Sequence, residues 1–93
     1  LAEVSLTGVL RCASDAQVAA VRRHLPEHVR LTRAEPGCLF FAVTESDDPR
    51  LWRVEERFRD AAAFQAHQTR TRASLWARET ADIARDYSVH GLD

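Results

Sequence analysis

The 93-residue chain has no lysine and no methionine, and only two cysteines, three glycines and three prolines. Each scarcity closes a door. Two cysteines, Cys12 and Cys38, allow one disulfide at most, and neither stands in a Cys-x-x-Cys or Cys/His spacing, so free thiols in a reducing cytoplasm are expected. There is no Gly-rich phosphate loop, Rossmann fingerprint, nucleophile elbow or His-Glu-x-x-His helix, so flavin, nicotinamide, haem and metal sites have no motif behind them and no cofactor is expected. All thirteen basic side chains are arginines scattered along the chain, which reads as coding bias rather than a binding patch. A net charge of −1 gives no bulk attraction to nucleic acid or to an anionic membrane. The longest apolar run, Cys38 to Val43, is far short of the ~20 residues of a membrane span. Nothing resembles a signal peptide, and the opening on Leu1 reads as a trimmed start. The expectation is one domain over residues 1–93.

What is present is a clear sequence of periods. Val4 to Cys12 alternates as a strand with one apolar face. Ser14 with Gln17 three residues on is a capping-box signal for a helix whose stripe is Val18, Val21, Leu25 and Val29. Pro26 lies inside that stripe and predicts a kink or restart. Pro36-Gly37 turns the chain. Cys38 to Glu45 is apolar on both faces, Phe40 and Ala42 on one and Leu39, Phe41 and Val43 on the other. Ser46 to Arg50 is a polar hairpin loop. Leu51 to Arg59 then presents Trp52, Val54, Glu56 and Phe58 on one side. Asp60 caps a helix to about Thr69, a second helical piece carries Ala73, Trp76, Ala77, Ala81 and Ala84, Arg85 to Val89 is a short strand, and His90 to Asp93 is a tail. The order β-α-β-β-α-β predicts a ferredoxin-like α+β sandwich, with the third strand between the first two. This order places Cys12 and Cys38 at opposite ends of the sheet. A strand apolar on both faces needs cover beyond one helical layer, so a homodimer through the sheet face is expected; the other reading leaves one apolar row at the surface.

Two ionisable residues fall on inward positions. Glu56 shares its face with Trp52, Val54 and Phe58, where a carboxylate loses solvation unless it is paired or protonated, so its pKa should rise. His67 lies ~10 Å along its helix from the Asp60 cap, and Glu56 lies ~13 Å back along its strand from the same point. The two elements run antiparallel, so both side chains reach a similar depth. Each residue has a pocket reading and a structural reading, the latter a satisfied hydrogen bond in the core. Trp52, Phe40, Trp76 and Tyr87 are candidate cavity walls that core packing explains equally well, and a buried Tyr87 hydroxyl needs a partner. Arg72 and Arg85 either bind an anion or are solvated. An RNA-recognition domain shares the strand order, but Leu51 to Arg59 puts acidic residues where bases would stack.

The segments Arg33-Ala34-Glu35-Pro36-Gly37-Cys38-Leu39 and Glu56-Arg57-Phe58-Arg59-Asp60, leading into Ala62-Ala63-Phe64 and Ala66-His67, resemble the antibiotic biosynthesis monooxygenase family. This is a dimeric α/β-barrel group that includes quinol monooxygenases, and the likeness covers nearly the whole chain. The resemblance implies a homodimer with one pocket per subunit, which oxygenates a small aromatic phenol or quinol with O2 and without metal or organic cofactor. Others of the wider group isomerise small diketone phosphates, degrade haem or have no known reaction. The resemblance puts His67 and Glu56 at pocket-facing positions as catalytic residues, with Trp52, Phe40, Trp76, Tyr87 and Arg72 toward the substrate. Relatives often carry a second histidine five residues after the first, where this chain has Arg72. The rival readings are a non-enzymatic small-molecule-binding or stress-response dimer and a small-ligand isomerase.

Overall fold

Short polar side chains start all three helices. Ser14 accepts a hydrogen bond from the Gln17 amide, Asp60 from Ala63 and Ser74 from Ala77, each satisfying one of the donors a helix start leaves open. In the computed structural model, which describes residues 2–92, these helices sit in the order β1 (Val4–Arg11), α1 (Asp15–Arg33), β2 (Cys38–Glu45), β3 (Leu51–Phe58), α2 (Ala61–Arg72), α3 (Leu75–Glu79) and β4 (Ala84–His90). The strands form one antiparallel sheet in the order β2-β3-β1-β4. This is the ferredoxin-like α+β arrangement, and β3 lies between β1 and β2 as the crossover rule requires.

Two helical expectations need correction. The helix does not restart at Pro26: α1 runs unbroken from Asp15 to Arg33. The proline forfeits the bond to the Arg22 carbonyl, but Arg22 is on the exposed side, where a lost backbone bond costs least because solvent can satisfy it. Buried Val18 and Val21 before the proline, and His28 and Thr32 after it, hold both halves against the sheet. The second helical piece is also shorter than its alanine pattern suggests. It ends at Glu79, and Ala84 opens β4 opposite Arg11. Strand pairing overrides helix propensity there.

The sheet register decides which side chains meet the helices. Val4, Leu6 and Leu10 of β1 pair with Phe58, Glu56 and Trp52 of β3, and all six are buried. The five apolar ones pack with Val18, Val21 and Leu25 of α1, Phe64 of α2 and Trp76 of α3 in one core. A register shift between Cys38 and Phe40 leaves Leu39 half exposed and turns Phe40 to the outer face, where the Arg57 guanidinium lies 5.4 Å from its ring centre. The bulge sends Phe41 inward instead, to 2% exposure. The outer face is consequently less apolar than the sequence suggests. Phe40, Ala42 and Val9 share it with Arg53, Glu55 and Arg57.

Gly37 closes the turn before β2 against α2, where a Cβ would stand 2.2 Å from that of Ala63. Both cysteines are free thiols. Among the described residues no helix is long and apolar enough to cross a membrane.

Candidate active site

The helix-facing side of the sheet dips along the row Val43, Val54, Gly8 and Tyr87, four residues in register on β2, β3, β1 and β4. Gly8 cannot be replaced without strain, because a Cβ would stand 2.0 Å from the Asp86 carbonyl oxygen. Above this floor, helices α1, α2 and α3 contribute His28, His67 and Trp76, and the space between is a cavity of about 350 Å³. Glu56, Arg72 and Arg85 also reach it. The walls are largely aliphatic and aromatic, with a few converging polar groups, which is the usual make-up of a small-molecule site.

His67 is 2% exposed, and its two nitrogens have different partners. Nδ1 lies 2.8 Å from Glu35 Oε1. The other oxygen of Glu35 accepts a bond from Arg70 Nε at 2.6 Å, and Arg70 Nη2 donates to Thr32 Oγ1 at 2.9 Å. A carboxylate held in an ion pair only accepts, so Nδ1 must carry the imidazole proton. That leaves the Nε2 lone pair turned toward Glu56 Oε1 at 3.7 Å and the Thr71 hydroxyl at 3.4 Å. Burial presses the His67 pKa below its ordinary value against the opposing pull of Glu35, so the ring is neutral at pH 7. A neutral imidazole with its rear proton pinned and its front nitrogen left as an acceptor, with only the long Thr71 hydroxyl contact on it, has the form of a general base.

Glu56 has the opposite bias. It is 6% exposed and its Oε1 has no hydrogen-bond partner. Burial, and then the neighbouring Glu35 charge, push it up to about 7, so it holds its proton through much of the neutral range. A base and a reluctant acid thus stand within reach of each other. The Tyr87 phenol is pushed up to about 12, chiefly by burial, although part of the ring remains exposed at the cavity mouth. Burial also drives His28 down to about 3, assisted by His67, Arg70 and Arg85. Arg85 is tied to the Thr80 and Ile83 carbonyls and the Thr80 hydroxyl.

Of the residues singled out from the sequence, His67, Glu56, Trp76, Tyr87 and Arg72 come together around this cavity, and Phe40 and Trp52 do not. Phe40 is removed by the bulge. Trp52 is buried in the core at the Leu10 level of the sheet, a full inward step beyond Val54 from Glu56. Glu35, which holds the His67 ring through Nδ1, was missed. Its signal was the acidic residue at the mouth of the Pro36-Gly37 turn, together with Arg70 three residues after His67. His28 was missed too, although it continues the Val18, Val21, Leu25 stripe at helical spacing. Among the described residues no group of three or more His, Cys, Asp or Glu is placed to hold a metal ion.

A sheet of this order covered on one face by helices, with a histidine–carboxylate cavity between the layers, defines a ferredoxin-like α+β domain. The chain belongs to the antibiotic biosynthesis monooxygenase family, whose profile matches residues 5–79. Rv0793 from Mycobacterium tuberculosis superposes with a TM-score of 0.74 at 25% identity, covering 95% of this chain and 92% of its own. SnoaB, a cofactor-independent oxygenase from Streptomyces nogalater, superposes with a TM-score of 0.80 at 11% identity, covering 96% and 91%. MupZ from Pseudomonas fluorescens gives 0.80 at 18%, covering 96% of this chain and 67% of its own. The last two likenesses are of fold alone. No curated protein sequence matches the chain.

Proposed function

We propose that this protein is a cofactor-independent monooxygenase that oxidises a small phenol or quinol with molecular oxygen, acting as a cytoplasmic homodimer joined through the outer sheet face. The observation that carries the reading is the His67 Nε2 lone pair, aimed into an aromatic-walled cavity while Glu35 holds Nδ1.

In this reading Nε2 removes the phenolic proton, and Glu35 stabilises the imidazolium that results. The phenolate passes one electron to O2, and recombination of the two radicals joins oxygen to a ring carbon. Loss of that carbon's proton and cleavage of the O–O bond then give a carbonyl and water. Glu56, protonated near neutrality, supplies the proton that the departing peroxide oxygen requires. Trp76 and Phe41 wall the ring from solvent, and exclusion of water strengthens each electrostatic interaction inside. Arg72 stands at the mouth, toward the substrate.

Oxygen uptake with a panel of phenols and quinols tests this directly. His67→Ala should lower kcat/KM by at least ~10²-fold, the low end for losing a general base. Turnover unchanged in that variant would remove His67 from the chemistry, and tight aromatic binding with no oxygen consumed would instead favour a binding module.

A further inference from the structure

Of the three buried polar side chains that line the cavity, His28, Glu56 and His67, His28 is the one the proposed chemistry leaves unused. It is 4% exposed. Its ring stacks flat on Trp76, with centroids 4.9 Å apart and planes within 5°, and meets Phe41 edge-on at 5.3 Å and 85°. These contacts fix the plane of the imidazole. Nδ1 is nevertheless buried without a hydrogen-bond partner, a condition that native cores rarely tolerate without a reason. The His67 ring centre lies 6.1 Å away, so two imidazoles look onto the same space.

We propose that His28 binds a second oxygen of the substrate, so that the preferred ligand is a planar aromatic carrying two oxygen functions, one at His67 Nε2 and one at the His28 imidazole. The assignment rests on the reading of His67 given above but concerns binding, which is measured without turnover. The chemistry matches. His28 is held neutral by its burial, and a neutral imidazole offers one donor and one acceptor. The unpartnered Nδ1 accepts in one tautomer and donates in the other, so it can take the proton of a substrate hydroxyl's hydrogen bond or donate to the carbonyl formed when the ring is oxidised. The neighbouring cations do not take this place, since Arg85 is committed to the Thr80 and Ile83 carbonyls and Arg72 is exposed at the rim.

The test is an anaerobic titration of 1-naphthol and 1,4-dihydroxynaphthalene, followed through the fluorescence of Trp76, the tryptophan that lines the cavity. The wild-type protein should bind the diol about tenfold or more tightly than the mono-ol. His28→Phe, which keeps the aromatic stack, should abolish that preference by weakening the diol alone, and His28→Asn should recover part of it. Equal affinity of the wild type for both ligands, equal weakening of both in His28→Phe, or binding of neither overturns the assignment. The two proposals fail separately. A diol preference without oxygen uptake leaves His28 standing and removes the oxygenase, whereas uptake with no diol preference does the reverse.

Discussion

Replacing Glu35 by glutamine is the sharpest perturbation of the proposed base, because it changes one atom and reverses a proton. In the native site Glu35 accepts from two sides, from His67 Nδ1 at 2.8 Å and from Arg70 Nε at 2.6 Å. Glutamine has one acceptor oxygen and one donor nitrogen. Arg70 only donates, so it claims the oxygen and leaves the amide NH2 facing Nδ1. The imidazole must then accept at Nδ1 and carry its proton on Nε2, which turns a donor into the cavity where a lone pair stood. Wrong-tautomer variants of a comparable histidine–carboxylate pair lose on the order of 10⁴ in kcat. The pair here is partly open to solvent, with Glu35 18% and Arg70 29% exposed in their side chains, so ~10² to 10³ in kcat/KM is the expected range. Stability should fall by only about 1–2 kcal/mol, the scale of one charge-assisted hydrogen bond. Oxygen uptake gives the rate, and ¹⁵N NMR of the His67 ring identifies which nitrogen is protonated. If Glu35→Gln keeps the proton on Nδ1 and turns over like the wild type, the account of how Glu35 orients His67 is wrong.

Two further predictions follow from the same geometry. Glu56 is raised to about 7 from an ordinary 4.5, so between those values the folded protein binds more protons than the unfolded chain. The stability it allows is therefore present at low pH and is lost as pH rises toward 7. Glu56→Gln should consequently gain stability over the wild type from pH 5 to pH 8, by on the order of 2 kcal/mol; urea midpoints at the two pH values measure it, and parallel pH profiles would refute it. Phe40→Glu places a charge on the outer sheet face, opposite Arg57 and away from the core, and should shift the proposed dimer toward monomer in light scattering while leaving the far-UV circular dichroism unchanged.

Much of this architecture is legible in the chain because short-range signals agree with long-range ones. Ser14 and Asp60 begin helices where they stand, and the alternation from Trp52 to Phe58 fixes the buried face of β3. What escapes reading depends on single-residue geometry or on distant partners. Nothing in Cys38-Leu39-Phe40 announces the register shift, yet that shift alone decides whether Phe40 or Phe41 faces the helices. Pro26 looks disruptive because propensity is local, whereas the packing of His28 and Thr32 that outweighs it is not. Half of the candidate site could be read from apolar rows, which carry Glu56 and His67 inward. Glu35 follows no such row: it lies in a turn that has no period, 32 residues before the ring it holds, and only its place beside Pro36-Gly37 and the later Arg70 marks it.

That separation has a consequence of its own. The basic nitrogen belongs to α2, but the group that makes it basic arrives on the connection between α1 and β2, and Arg70, the clamp on that group, bonds back to Thr32 near the end of α1. Proton-accepting power is therefore not a property of either segment. In the proposed mechanism it depends on the two being latched together at the Gly37 corner, so the tautomer of His67 reports on a contact between separate parts of the chain.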